Sequence, residues 1–193
     1  MINKQERGES QLDAITLNRV SFTYGKIENV IQNVEVSIQQ NEFTAIIGDN
    51  GSGKTTLGKI MAGILKPSSG NTFIFDKNSR EMTLGEIGTR IGYLFQNPEK
   101  QLFAASVEAE IGFALELKGY TKEQIKSIVD HMLDLFQLKD VRHSFPFYLS
   151  QGEKQRLALA AILADSPRYL ILDEPTTGLD VQRKKYYQEY WKD

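Results

Sequence analysis

Gly48-Asp49-Asn50-Gly51-Ser52-Gly53-Lys54-Thr55 follows the spacing G-x-x-x-x-G-K-[ST] in full. Glycines let successive backbone N–H groups curl round an anion, and a helix N-terminus behind them favours negative charge. In such a loop Lys54 reaches the β- and γ-phosphates of a nucleoside triphosphate, and the Thr55 hydroxyl ligates magnesium. A second group, Asp173-Glu174, closes the apolar run Tyr169-Leu170-Ile171-Leu172. Asp173 is placed to hold the magnesium shell. Glu174 follows directly and points a different way, where it can orient or deprotonate an attacking water. The third group is Leu149-Ser150-Gln151-Gly152-Glu153-Lys154-Gln155-Arg156. Ser150 can cap the helix that follows, and Ser150 with Gly152 makes a second anion seat. One domain does not need two phosphate seats for one nucleotide; two similar domains packed head to tail use both, each covering the other's nucleotide.

These groups need elements to hold them. Phe43-Thr44-Ala45-Ile46-Ile47 is a short, nearly continuous apolar run, the pattern of a strand buried on both faces of a parallel sheet. It delivers residues 48–55, after which 55–62 suits a helix with Gly63 as its stop and Pro67 beyond. Residues 15–20 and 34–38 alternate apolar and polar, as half-buried strands do, with a turn at Tyr24-Gly25-Lys26 between them. These two are expected to be antiparallel and peripheral. Residues 72–75 and 91–95 read as two further strands.

From about residue 104 to 147 the pattern turns helical. Thr121 and Gln124 form a capping box, and Ile125, Ile128, Val129, Met132, Leu133 and Phe136 fall on one helical face. His131 lies beside that stripe with no partner at metal-ligand spacing, and is read as a surface residue. A Leu/Ala-rich helix is expected over 152–164, and 169–172 repeats the buried-strand pattern.

With these motifs in this order, the chain resembles an ATP-binding cassette (ABC) ATPase subunit. The resemblance implies an α/β P-loop NTPase fold: a parallel core sheet, a peripheral antiparallel β-subdomain and an inserted α-helical subdomain at about 104–150. It implies one nucleotide-binding domain over 1–193. Residues 48–55 resemble the Walker A motif, so Gly48, Asp49, Asn50, Gly51, Ser52, Gly53, Lys54, Thr55 and the following Thr56 are expected to bind ATP. Tyr24 resembles the aromatic that stacks on adenine. Gln96 resembles the Q-loop glutamine that touches magnesium and senses the membrane partner. Residues 149–155 resemble the signature motif, with Ser150 and Gly152 serving the partner's ATP; Asp173 and Glu174 resemble the Walker B pair, and Gly178-Leu179-Asp180 the D-loop. On this reading Glu174, Lys54 and Gln96 are catalytic, and Thr55, Gln96 and Asp173 hold Mg2+. Residues 93–103 are similar to the Q-loop region of energy-coupling factor ATPases, the vitamin and cobalt or nickel importers. That implies a homo- or heterodimer with another ABC ATPase, a transmembrane coupling subunit, and a place at the inner face of the cell membrane.

Composition bounds the alternatives. With 40% hydrophobic and 25% charged residues over 193 positions, the chain can bury a core. A formal net charge of -2 and a sequence pI near 5.8 do not suggest a nucleic-acid binder; Arg183-Lys184-Lys185 is read as a solvated helix face. There is no cysteine, which excludes thiolate metal sites and fits a reducing cytoplasm. Residues 1–10 lack the apolar core of a signal peptide, and no stretch reaches the ~20 apolar residues of a membrane helix.

Two departures from the family stand out. Gln151 occupies a signature position that usually carries glycine, where a side chain either crowds the partner's phosphate or points outward. The family also continues past the D-loop to a strand ending in a histidine, whereas this sequence stops 13 residues after Asp180 and both its histidines precede Asp173. It is therefore expected to be truncated, with weakened hydrolysis. Two other readings are a soluble ABC protein of translation or repair, and a degenerate subunit that binds ATP without turnover. Only 95 residues separate Lys54 from Ser150, without heptads, which leaves no room for the long coiled coil of the repair proteins.

Overall fold

A computed structural model describes residues 13–25 and 27–174; Gly178-Leu179-Asp180, Arg183-Lys184-Lys185 and the aromatic stretch 186–191 lie outside them. Two compact units divide the chain, Met1–Arg90 and Ile91–Asp193, and each is taken by itself.

In the first unit, β1 (Asp13–Tyr24) and β2 (Ile27–Gln39) form the expected antiparallel pair, closing with Tyr24 opposite Ile27. The alternation in β1 buries Ile15 and Leu17, then breaks: Asn18 and Arg19 are both exposed, and Arg19 takes a positive φ of 49° where the register shifts. This is a bulge, which bends the strand so that Val20 and Phe22 return to the core. β3 (Ser69–Ile74) pairs with the other edge of β1, and the short β4 (Lys77–Asn78) follows it, giving the order β2-β1-β3-β4. The expected strand at 72–75 thus belongs to the antiparallel sheet. Helix α1 (Lys54–Met61) buries Ile60 and Met61, and α2 (Leu84–Gly88) opens with a Thr83/Glu86 capping box and buries Ile87.

One expectation fails here. Residues 43–47 form no strand and pair with nothing in a ladder, and Phe43 and Ile47 are 84% and 93% exposed. An apolar run becomes a strand only where a neighbour offers backbone N–H and C=O groups in register. Among the described residues, none is paired with this segment.

In the second unit, β5 (Ile91–Leu94) and β6 (Tyr169–Leu172) run parallel, Ile91 opposite Tyr169 and Leu94 opposite Leu172. The crossover contains α3 (Val107–Leu117), α4 (Lys122–Leu135) and α5 (Gln151–Ala164). β6 is half-buried rather than buried, the second correction, because β5 is its one ladder partner among the described residues. The helices pack round Leu94, Val107, Ile111, Leu115, Leu133 and Leu157, each at most 1% exposed. Each such leucine stabilises the unit by about 2 kcal/mol through burial. The Thr121/Gln124 capping box forms, the stripe from Ile125 to Phe136 joins the core, and His131 is exposed, all as read from the sequence. α5 can approach β5 closely because residue 92 is glycine: a Cβ there would lie 2.4 Å from Ile162 Cγ2 and 2.9 Å from Leu170 Cδ1. Arg156, buried on α5, donates from Nε to the carbonyl of Phe136 at 2.8 Å and so satisfies the C-terminal end of α4.

Candidate active site

The first unit builds the loop ahead of α1. Gly51 and Gly53 adopt φ of 84° and 89°, the left-handed region that a side chain disfavours. Gly53 is the N-cap of α1, with no side-chain cap bond and no acidic residue in the first helical turn. Positive helix-dipole charge is therefore left without an internal carboxylate at that end. Lys54 folds its ammonium back on the loop, donating to the carbonyls of Gly48 at 2.9 Å and Asp49 at 2.8 Å. The Ser52 N–H donates to the carbonyl of Asp49 at 3.1 Å, which closes the turn containing Asn50. Tyr24, at the end of β1, is 41% exposed and stands edge-on to Phe22, and its hydroxyl lies 3.4 Å from Oγ1 of the buried Thr56. The fold thus brings Tyr24 and the first turn of α1 together, although 30 residues of chain separate Tyr24 from Thr55.

The second unit gathers the carboxylates. The β5–β6 register continues past the strand ends, where the Asp173 N–H donates to the carbonyl of Leu94 at 3.0 Å. Along this ladder Gln96 meets Glu174, its Nε2 donating to Oε2 at 2.8 Å. Gln96 keeps an amide oxygen as acceptor. Glu174 has a positive φ of 52°, a strained backbone for a non-glycine residue. Asp173 accepts from the hydroxyl of Tyr93 at 3.3 Å.

The segment leaving β5 is pinned at several points that sequence reading missed. Gln101 Oε1 accepts from the Phe95 N–H at 3.0 Å, and Asn97 Oδ1 from the Glu99 N–H at 3.0 Å. Glu99 pairs at 2.5 Å with Lys154, which is 8% exposed and has its ammonium 5.9 Å from the centre of the Phe147 ring. This ion pair ties the segment after Gln96 to the first turn of α5. Farther on, buried Glu110 accepts from the N–H groups of Phe103 at 2.9 Å and Ala104 at 2.7 Å, both on Oε2. The signal for Glu110 was present: it lies three residues from Val107 and beside Ile111, on the apolar side of α3.

Glu110 yields a test. Burial pushes its carboxyl above the ordinary range, against the two N–H bonds that pull it down. A raised folded-state value means that stability is fully present below the unfolded pKa and is lost as pH rises through the folded one. Glu110→Gln retains an oxygen for both N–H groups and removes that charge. Urea unfolding is expected to show wild type losing stability relative to Glu110→Gln as pH rises above the ordinary carboxylate range, while Glu110→Ala costs about 2 kcal/mol both below and above that range. Equal pH slopes in wild type and Glu110→Gln would contradict this.

Ser150 and Gly152 open α5 as anticipated. Ser150 is the N-cap: its hydroxyl accepts from the Glu153 N–H at 3.4 Å, and Glu153 returns its carboxylate to the Ser150 N–H at 2.9 Å. Gln151 is exposed. Tyr24 and residues 48–56 therefore lie in one unit, and Gln96, Ser150, Gly152, Asp173 and Glu174 in the other.

Comparison with known proteins identifies the family and the fold. The ABC transporter family matches residues 31–177. An energy-coupling factor transporter ATP-binding protein, EcfA1, of Mycoplasmoides gallisepticum is 36% identical over 177 residues, 92% of this chain and 63% of that protein. The structure of cbiO1 from Clostridium perfringens, part of the ABC transporter complex cbiONQ, superposes with a TM-score of 0.79 at 31% identity, covering 93% of this chain and 72% of that one. A dimeric post-hydrolysis state of the ATP-binding cassette MJ0796, bound to ADP and Pi, gives a TM-score of 0.83 at 26% identity over 92% of this chain and 81% of that one. The chain spans between 33% and 64% of the length of the first curated relatives it matches.

Proposed function

Because this chain belongs to the ABC transporter ATP-binding family, we propose that it binds and hydrolyses ATP to energise a membrane importer of the energy-coupling factor type. The observation that carries this is the loop before α1, where two left-handed glycines, a tethered lysine and an uncapped helix start form an anion cradle. Gly48, Asp49, Asn50, Gly51, Ser52 and Gly53 supply backbone to the phosphates, Lys54 exchanges its two carbonyls for phosphate oxygens, and Thr55 and Thr56 complete the first turn. Tyr24 offers its ring to the base. The two units act as one nucleotide-binding domain, whose helical part is the segment at about 104–150.

Thr55 hydroxyl, Gln96 amide and Asp173 carboxylate are all oxygen donors, the set a hard ion such as magnesium takes beside phosphate. When bound, Mg2+ neutralises charge that builds on the transferred phosphoryl group. Glu174 accepts a proton from water aligned with the γ-phosphate, and Gln96 keeps its carboxylate in position until then. Ser150 and Gly152 close on the ATP of a second cassette, in a homo- or heterodimer packed head to tail.

The membrane partner has a surface to meet. Phe103 and Phe113 are 60% and 40% exposed and touch edge to face with ring centres 4.7 Å apart; Leu117, one turn along α3, is 75% exposed. Exposed apolar groups of this kind mark contact sites, and a short helix of a transmembrane coupling subunit fits the stripe. Among the described residues no helix is long and apolar enough to cross a membrane; the likeness to energy-coupling factor ATP-binding proteins supports a place at the inner face, held through that subunit.

Phe103→Glu is expected to leave ATP binding unchanged while abolishing co-sedimentation with membranes carrying a coupling subunit. Sedimentation with ribosomes and not with those membranes would favour a translation factor and defeat this reading.

A further inference from the structure

The ladder between β5 and β6 assigns a role to a residue that no phosphate or water contact requires. In parallel strands side chains alternate between faces, so Tyr93 on β5 and Phe95, one residue past its end, fall on one side, as do Ile171 on β6 and Asp173, one residue past its end. Tyr93 stands opposite Ile171. Its ring therefore lies one step before Asp173 on the same side, and its hydroxyl reaches forward to Asp173 Oδ2 at 3.3 Å. The ring is held by Phe95, edge-on with centres 4.9 Å apart. On the next position Gln96 meets Glu174 at 2.8 Å. Each of the two adjacent carboxylates is thus held by a different side chain of the β5 segment.

We propose that Tyr93 is a positioning residue for the metal: its hydroxyl fixes one oxygen of Asp173 so that the other is presented to Mg2+ in the ATP complex. This deepens the functional reading above and rests on it. A carboxylate leaving a strand can rotate about χ1 and χ2, and the hydrogen bond removes that freedom before the cation arrives. Partners of this outer kind change metal affinity by 10–100-fold in other sites.

The test uses Mn2+ with ATP, followed by electron paramagnetic resonance of the free ion, on the whole chain. Tyr93→Phe keeps the ring and its contact with Phe95 and deletes one oxygen. It is expected to weaken Mn2+ binding to the ATP complex about 10- to 100-fold, with ATP affinity in the presence of a chelator unchanged. In an Asp173→Asn background the same deletion is expected to have little further effect, because the two act as one group. A purely structural tyrosine would lower the unfolding temperature and leave the metal titration unmoved. If wild type holds Mn2+ with ATP, Asp173→Asn weakens it, and Tyr93→Phe matches wild type or adds its effect fully to that of Asp173→Asn, the inference is overturned. If wild type holds no Mn2+ with ATP, the functional reading falls, and this inference with it.

Discussion

Replacing Lys54 by alanine is expected to lower ATP affinity by about 100-fold or more, measured by titration calorimetry or with a fluorescent ATP analogue. Two effects add. The ammonium supplies charge-assisted hydrogen bonds to phosphate worth about 1.5–3 kcal/mol each, and about 1.4 kcal/mol is a factor of ten. The side chain also ties the loop through the carbonyls of Gly48 and Asp49, so alanine releases the cradle's own backbone. Lys54→Arg is not expected to rescue binding, because a planar guanidinium does not match a compact ammonium packed between two carbonyls. Unchanged affinity in Lys54→Ala would show that the loop does not bind the nucleotide.

Glu174→Gln is expected to reduce phosphate release by about 10²- to 10⁴-fold, the range for losing a general base, while ATP affinity changes little. The substitution is unusually clean in this fold. Glutamine is isosteric, suffers the same left-handed backbone at φ 52°, and still offers an oxygen to Gln96 Nε2. What changes is the charge and the capacity to take a proton. With hydrolysis stopped, ATP should hold two cassettes together, and sedimentation velocity should show an ATP-dependent doubling of mass. Full turnover in Glu174→Gln would move the base elsewhere. Loss of ATP binding along with turnover would mean that the residue holds the nucleotide rather than directing water.

The places of these two residues in the fold were legible because they are written in local spacing. A glycine loop needs Gly51 and Gly53 for its backbone angles whatever surrounds it, and Lys54 must follow within reach. Asp173 and Glu174 were legible from the apolar run that ends at them, and Ser150 from the capping residue Glu153 three positions on. Helix α4 could be read almost residue by residue, since its capping box and apolar stripe depend only on a repeat of 3.6 residues.

What the sequence could not decide were pairings between distant segments. Residues 43–47 carry the composition of a buried strand, yet a strand is defined by its neighbours, and this one stands unpaired and exposed among the described residues. The same applies to Tyr93, whose hydroxyl finds Asp173 only because β5 and β6 align with Tyr93 opposite Ile171. Glu99 and Lys154 lie 55 residues apart, and only the packing of α5 beside the segment after Gln96 makes them partners. By itself, then, the sequence marked the glycine loop, the helix caps and helices α1, α4 and α5, because backbone angles, caps and periodicity are local. Which side chains hold those groups in place was decided by tertiary structure, because strand register and helix packing bring together residues whose separation along the chain carries no signal.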